Sequence, residues 1–222
     1  MSYTLPQFKN SELLETALTH RSALNEVTSP SKESNERLEF LGDAVLELAT
    51  TRYLFNQFPN EPEGVLTSYR SALVKTTTLA MVSEKLGLGD KLFMSKGEEA
   101  TGGRTNSSLL ADTMEAVIGA LYLDQGYEAT EQFLTTVLFT ELEHILHQKL
   151  YVDAKSNLQE VVQALGFSTP VYEVTAESGP DHDKQFAVQV LVDGKAIGIG
   201  TGRSKQLAQQ EAAKQALLQY DI

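Results

Sequence analysis

The apolar residues of this 222-residue chain change their period once, near residue 150, and that change limits the fold to two dissimilar parts. Before it they recur at helical spacing, with breaks at NEVTSPSKES, FPNEPEG, GLGD and SKGEEATGGRTNS. The spacing predicts helices over 75–87, stopped by Gly87, over 107–124, ending near Gly126, and over 128–149 as one long last helix. After LYVDAKS, the segments VYEVTAE, FAVQVLV and KAIGIGT alternate with a period near two, and Asp193-Gly194 joins the last two as a tight hairpin turn. SNLQEVVQALG reads as a short helix with Ser156 as N-cap, Gln159 completing a capping box and Gly166 as a stop. SKQLAQQEAAKQALLQY reads as a last helix opened by Ser204. The expected fold class is therefore two domains: an all-α domain over 1–148, a linker over 149–153, and a small α+β domain in the order α-β-β-β-α over 154–222.

Composition narrows the chemistry. Without cysteine there is no disulfide, zinc ribbon or thiol nucleophile, so a metal would be held by oxygen or imidazole, which points to hard cations. No apolar run approaches the roughly 18 to 20 residues of a membrane span. The opening MSYTLPQFKNSELLE lacks the basic flank and apolar block of a secretory signal, so the expected location is cytoplasmic, with no membrane partner. The net charge of −12 argues by itself against nucleic acid. Splitting the chain at 150 leaves both parts acidic: 12 basic against 21 acidic residues, net −9, then 6 against 9, net −3. Only local clustering of cations would support nucleic-acid binding.

The stretch NERLEFLGDAVLEL, residues 35–48, concentrates that charge. At about 100° per residue, Glu36, Glu39, Asp43 and Glu47 share one face, while Leu38, Leu41, Val45 and Leu48 gather roughly opposite. A solvated acidic face on an amphipathic helix is one explanation. Two details weigh against it: Phe40 lies beside the acids, and like charges three, four and seven residues apart repel with no lysine between them. A cation or a partner surface would remove that penalty.

LLADTMEAVIGALYLD repeats the pattern, with Asp112 and Glu115 on one face, Ala116 and Gly119 on or beside it, and Met114, Val117, Ile118 and Leu121 on the apolar side. Small residues at such a place let another helix approach closely. Two helices presenting Glu39 with Asp43 and Asp112 with Glu115 would form a cage of carboxylate oxygens suited to Mg²⁺ or Mn²⁺.

These residues resemble a known family. NERLEFLGDAVL (35–46) looks like the signature of the ribonuclease III family, LADTMEAVIGALYLD (110–124) is similar to its second acidic helix, THRSALNE (19–26) supports the match, and the tail is similar to a double-stranded-RNA-binding domain. The resemblance implies that residues 1–148 form the endonuclease domain. It further implies a homodimeric, Mg²⁺-dependent endonuclease, in which Mn²⁺ can substitute and no small-molecule cofactor takes part. Such an enzyme cuts double-stranded RNA, ribosomal precursors among it, to 5′-phosphate and 3′-hydroxyl ends with short 3′ overhangs. By motif, Glu39, Asp43, Asp112 and Glu115 are the metal-binding acids, with Asp43 and Glu115 the most sensitive catalytic pair. Glu36 and Glu63 match secondary acidic positions with capping or subunit-contact roles, and Phe40 matches the aromatic that enters a socket on the partner subunit. His20 reads as a structural hydrogen-bonding residue, and His144 and His147 as surface residues.

In the small domain the matching RNA-contact positions are Gln159 and Glu160 on the first helix, His182 in the loop after the first strand, and Arg203, Ser204 and Lys205 at the start of the last helix. Duplex RNA is read mainly by shape, across minor grooves and the phosphates between them. This chain departs from the family where Gln206, Leu207 and Gln209 stand at positions at which cations are common, and Asp181 and Asp183 flank His182. Weak binding with a shallow salt dependence follows. Two other functions stay open: a double-stranded-RNA-binding regulator that does not cut, and a metal-dependent phosphohydrolase acting on small phosphate esters.

Overall fold

The computed structural model of the chain describes residues 3–26, 29–148, 151, 153–180 and 184–220. It divides into two compact units, Met1–Tyr151 and Val152–Ile222. The first is all-helical: α1 (Ser11–Ala17), α2 (Glu36–Gln57), α3 (Glu63–Val74), α4 (Thr76–Lys85), α5 (Leu88–Lys91), α6 (Lys96–Ala100), α7 (Ser107–Gln125), α8 (Tyr127–Val137) and α9 (Leu142–His147). Among the described residues no helix is long and apolar enough to cross a membrane.

Helices α2 and α7 form the centre of this unit, with α1, α4 and α8 packed on α7 and α3 on α2. Leu46, Leu54, Met114, Ile118, Leu121 and Leu134 are fully buried between them. The two central helices meet at glycines. A Cβ on Gly42 would overlap the carbonyl oxygen of Glu115, and one on Gly119 would overlap that of Leu38. The close approach expected at Gly119 is therefore present, and Gly42 completes it from the other side.

Two local expectations in this unit change. Leu48 is 58 % exposed rather than buried, because it falls on the flank of α2 that carries Phe40, itself 82 % exposed. The long last helix expected over 128–149 breaks after Val137 into a 3-10 turn, Phe139–Glu141, before α9. The break lets Phe139 stack on Tyr53 at 4.2 Å and turns Glu141 inward to Lys85 Nζ and Tyr3 Oη. Tyr151, within the expected linker, packs edge-on against Tyr69 at 4.7 Å.

The second unit runs α10 (Ala154–Ala164), β1 (Val171–Ser178), β2 (Gln185–Val192), β3 (Lys195–Gly202) and α11 (Lys205–Leu217). The strands form one antiparallel sheet in the order β1-β2-β3. Asp193 and Gly194 both take positive φ, 50° and 75°, as a tight hairpin turn requires. The cap of α10 is Asp153, not Ser156: its carboxylate accepts from the N–H groups of Lys155 and Ser156, and the Ser156 hydroxyl donates to it. Both residues are competent caps, and the extended backbone at Asp153 starts the helix earlier. Helix α11 lies on β3 along a seam without side-chain bulk, where Gly198, Gly200 and Gly202 face the main chain around Ala208, Ala212 and Ala216. Val188, Val190 and Leu158 complete this core.

Candidate metal centre and RNA-facing surface

The acidic cluster is built by the crossing just described. Gly42 and Gly119 bring the main chains of α2 and α7 together, so the acids flanking those glycines on each helix meet. Helix α2 is held at its start by the Asn35 N–H, which donates to the Thr19 carbonyl at 2.9 Å, while α7 is capped by the Asn106 side chain accepting from Ser108 and Leu109 N–H. One carboxylate oxygen from each of Glu39, Asp112 and Glu115 lies within 4.8 Å of the others. Asp43, one helical turn beyond Glu39, stands outside that group and is exposed, yet its charge acts on both Glu39 and Glu115.

The three gathered carboxyls all hold their protons more tightly than usual. Burial, then the charges of Asp43, Asp112 and Glu39, push Glu115 from an ordinary value of 4.5 to about 7. Burial, followed by Asp112, Glu36 and Asp43, raises Glu39 against an opposing pull from Arg21, and burial raises Asp112 against the charge of His20. Among the described residues no Lys, Arg or His forms an ion pair with Glu39, Asp112 or Glu115. Converging, desolvated carboxylates that lack a cation are a fitting donor set for a hard divalent ion.

The ends of the acidic stripe behave differently from its middle. Arg21 pairs with Glu36 at 3.4 Å, where Ser34 Oγ also donates, and Arg70 pairs with Glu47 at 2.9 Å. The repulsion read from the sequence is thus relieved at both ends by arginines from outside the helix, leaving Glu39 and Asp43 as the two acids of the stripe without an ion pair among the described residues. Glu63 sits in the first turn of α3, exposed, accepting from Thr67 Oγ1 at 3.0 Å, and is not part of the cluster. His20 Nδ1 is hydrogen-bonded to Ser22 Oγ at 2.8 Å, a local structural bond. Its effect on Asp112 nonetheless places THRS beside the acids, and the quoted THRSALNE stretch is the sequence signal for that.

On the second unit, Gln159 and Glu160 are exposed on α10, and Arg203 and Lys205 are exposed around Ser204, whose hydroxyl caps α11 by accepting from Leu207 N–H. Lys205 Nζ lies 5.7 Å from the centre of the Phe186 ring. His182 lies outside the described residues. Sequence reasoning missed Lys155, whose ammonium reaches α11 and donates to Gln209 Oε1 at 2.7 Å.

Both parts of the chain match known protein families. Residues 10–142 match the family described as Ribonuclease-III-like, and residues 154–220 match the double-stranded RNA binding motif. Ribonuclease 3 of Anoxybacillus flavithermus is 49% identical over 210 residues, 95% of this chain and 88% of that protein. Ribonuclease 3 of Streptococcus thermophilus is 46% identical over 212 residues, 96% and 92% of the two chains. Among solved structures, the nuclease domain of ribonuclease III from Campylobacter jejuni, described with a region involved in dimer formation, is 41% identical with a TM-score of 0.56, covering 60% of this chain and 90% of that one. Dicer from Pichia stipitis is 28% identical with a TM-score of 0.50 over 98% of both chains. With a two-helix acidic centre in one unit and an RNA-binding motif in the other, the chain belongs to the ribonuclease III family of double-stranded-RNA-specific endoribonucleases.

Proposed function

We propose that this chain is a Mg²⁺-dependent endoribonuclease acting as a homodimer in the cytoplasm, with residues 1–148 as endonuclease domain, 149–153 as linker and 154–222 as RNA-binding domain. It leaves 5′-phosphate and 3′-hydroxyl ends with short 3′ overhangs and processes ribosomal precursor and other structured RNAs. The observation that carries this reading is the convergence of Glu39, Asp112 and Glu115 on one point, with Asp43 bearing on it electrostatically and no ion pair to any of the three among the described residues.

Glu39, Asp112 and Glu115 would hold the ion, and Asp43 would join them or act on the water beside them. When bound, Mg²⁺ or Mn²⁺ supplies an activated water at neutral pH and shields charge developing on phosphate. Glu115, desolvated and surrounded by like charges, then orients the attacking water. Glu36 and Glu63 take supporting roles, Glu36 through Arg21 and Glu63 at the start of α3. Phe40, exposed beside the acids, fits the role of an aromatic seated in a second subunit, in line with the dimer-forming region described for the Campylobacter jejuni domain. Gln159, Glu160, His182, Arg203, Ser204 and Lys205 contact the duplex.

The test is incubation with a long, perfectly paired RNA, with Mg²⁺ and with a chelator in parallel, mapping product ends on both strands. Staggered 5′-phosphate ends only in Mg²⁺ are expected. A bound but uncut duplex would instead favour a regulatory binder.

A further inference from the structure

Helix α11 has Gln206, Leu207 and Gln209 after Lys205, so its own sequence brings few cations to its phosphate-facing start. The fold brings one from elsewhere. Lys155, in the first turn of α10, reaches α11, where its Nζ donates to Gln209 Oε1 at 2.7 Å and lies 4.9 Å from the centre of the Tyr172 ring. These contacts fix a side chain that is otherwise rotamer-rich, and neither removes its charge. Among the described residues Lys155 forms no ion pair with a carboxylate. An ammonium has three donors, so two remain for another acceptor.

That acceptor has a place to sit. Lys155 lines a cavity of about 240 Å³ between the starts of α10 and α11, together with Gln159, Gln206, Tyr172 and Asp153. At roughly 30 Å³ per water, the space admits a phosphate group with its hydration. Tyr172 lines the cavity, and its hydroxyl, buried without a hydrogen-bond partner among the described residues, stays protonated because burial, then Asp153, push its pKa up to about 12. Among the described residues the Asp153 carboxylate is the one opposing charge in the lining. It is already engaged by the N–H groups of Lys155 and Ser156, the Ser156 hydroxyl and the Gln210 amide, which disperse its charge. Gln159 and Gln206 border the same cavity from the two helices that face RNA in the functional reading.

We propose that Lys155 is a ligand for an RNA phosphate and stands in, from the neighbouring helix, for the cation that α11 lacks at position 209. The assignment rests on the double-stranded-RNA reading above and adds a contact to it. A cation that neutralises one phosphate releases its counterions and steepens the log–log dependence of affinity on salt by about 0.9.

The experiment measures binding of the full chain to a perfectly paired RNA, in chelator to prevent cutting, across a range of KCl concentrations. The variants are Lys155→Met, Lys155→Arg and the double variant Lys155→Met with Gln209→Lys, each with its thermal unfolding recorded. Lys155→Met is expected to make the slope shallower by about 0.9, Lys155→Arg to preserve it, and Gln209→Lys to restore it in the Met background. A folded Lys155→Met with the slope of the unaltered chain overturns the proposal, and so does a lost slope that Gln209→Lys fails to restore, since Lys155 would then be a structural pin between helices. Failure of the unaltered chain to bind duplex RNA at all would bring down the functional reading itself, and this assignment with it.

Discussion

Gly42 rests against the main chain of Glu115, leaving no space for even a methyl group. The residue that raises the concern of charge in this site is thus seated by the residue with no side chain.

Gly42→Ala should force α2 and α7 apart and destabilise the first unit by about 1–3 kcal/mol, the usual cost of overpacking. Gly64→Ala, in the first turn of α3 with nothing near its Cβ position, should be neutral or stabilising by up to about 1 kcal/mol through helix propensity. Chemical denaturation should show a clear loss of stability for Gly42→Ala and none for Gly64→Ala if the close approach is real. Equal, small effects would refute it.

Glu115→Gln removes one charge from the cluster without changing its volume. Cleavage of paired RNA should fall by at least about a hundredfold, the scale of losing a group that stabilises the transition state, while binding in chelator stays within a few-fold of the unaltered chain. Substantial residual cutting would assign the role to another acid, with Asp43→Asn the next variant to measure.

Because Glu115 titrates near 7 in the folded chain against 4.5 when free, the folded state keeps a proton that the unfolded chain releases between those values. Its contribution to stability is therefore full below about 4.5 and lost as pH rises through about 7. In chelator, the unfolding temperature of the unaltered chain should fall from pH 5 to pH 8 relative to Glu115→Gln, and Mg²⁺ at pH 8 should reverse the loss. Parallel pH curves for the two proteins would show that the carboxyl is not desolvated as described.

Phe40 contributes little to the subunit's own core, being 82 % exposed. Phe40→Asp should leave the unfolding transition of an isolated subunit intact and shift the protein from dimer to monomer in sedimentation velocity. A dimer of unchanged strength would remove Phe40 from the subunit contact.

Much of this was legible locally. Gly87, Gly126 and Gly166 close helices with positive φ, Asp193-Gly194 forms its turn, and Ser204 caps α11, because each is decided by the residue and its immediate neighbours. What sequence could not give depends on distant partners. The break after Val137 follows from Tyr53, Lys85 and Tyr3. The relief of Glu36 and Glu47 comes from Arg21 and Arg70. The four acids were readable as residues, but that three of them converge while Asp43 stays outside is a product of the glycine crossing. Leu48 was misplaced because a helix with two apolar flanks has no single inward side.

The glycine and alanine seam beneath α11 has a consequence for how this protein can change over generations. Gly198, Gly200 and Gly202 have no room for a side chain, so those positions are closed to variation whatever RNA the chain meets. Arg203 and Gln206, exposed at the start of the same helix, are not among the nearest neighbours of those glycines. On the proposed RNA-binding reading, affinity can change at those two positions through surface charge while the seam stays fixed.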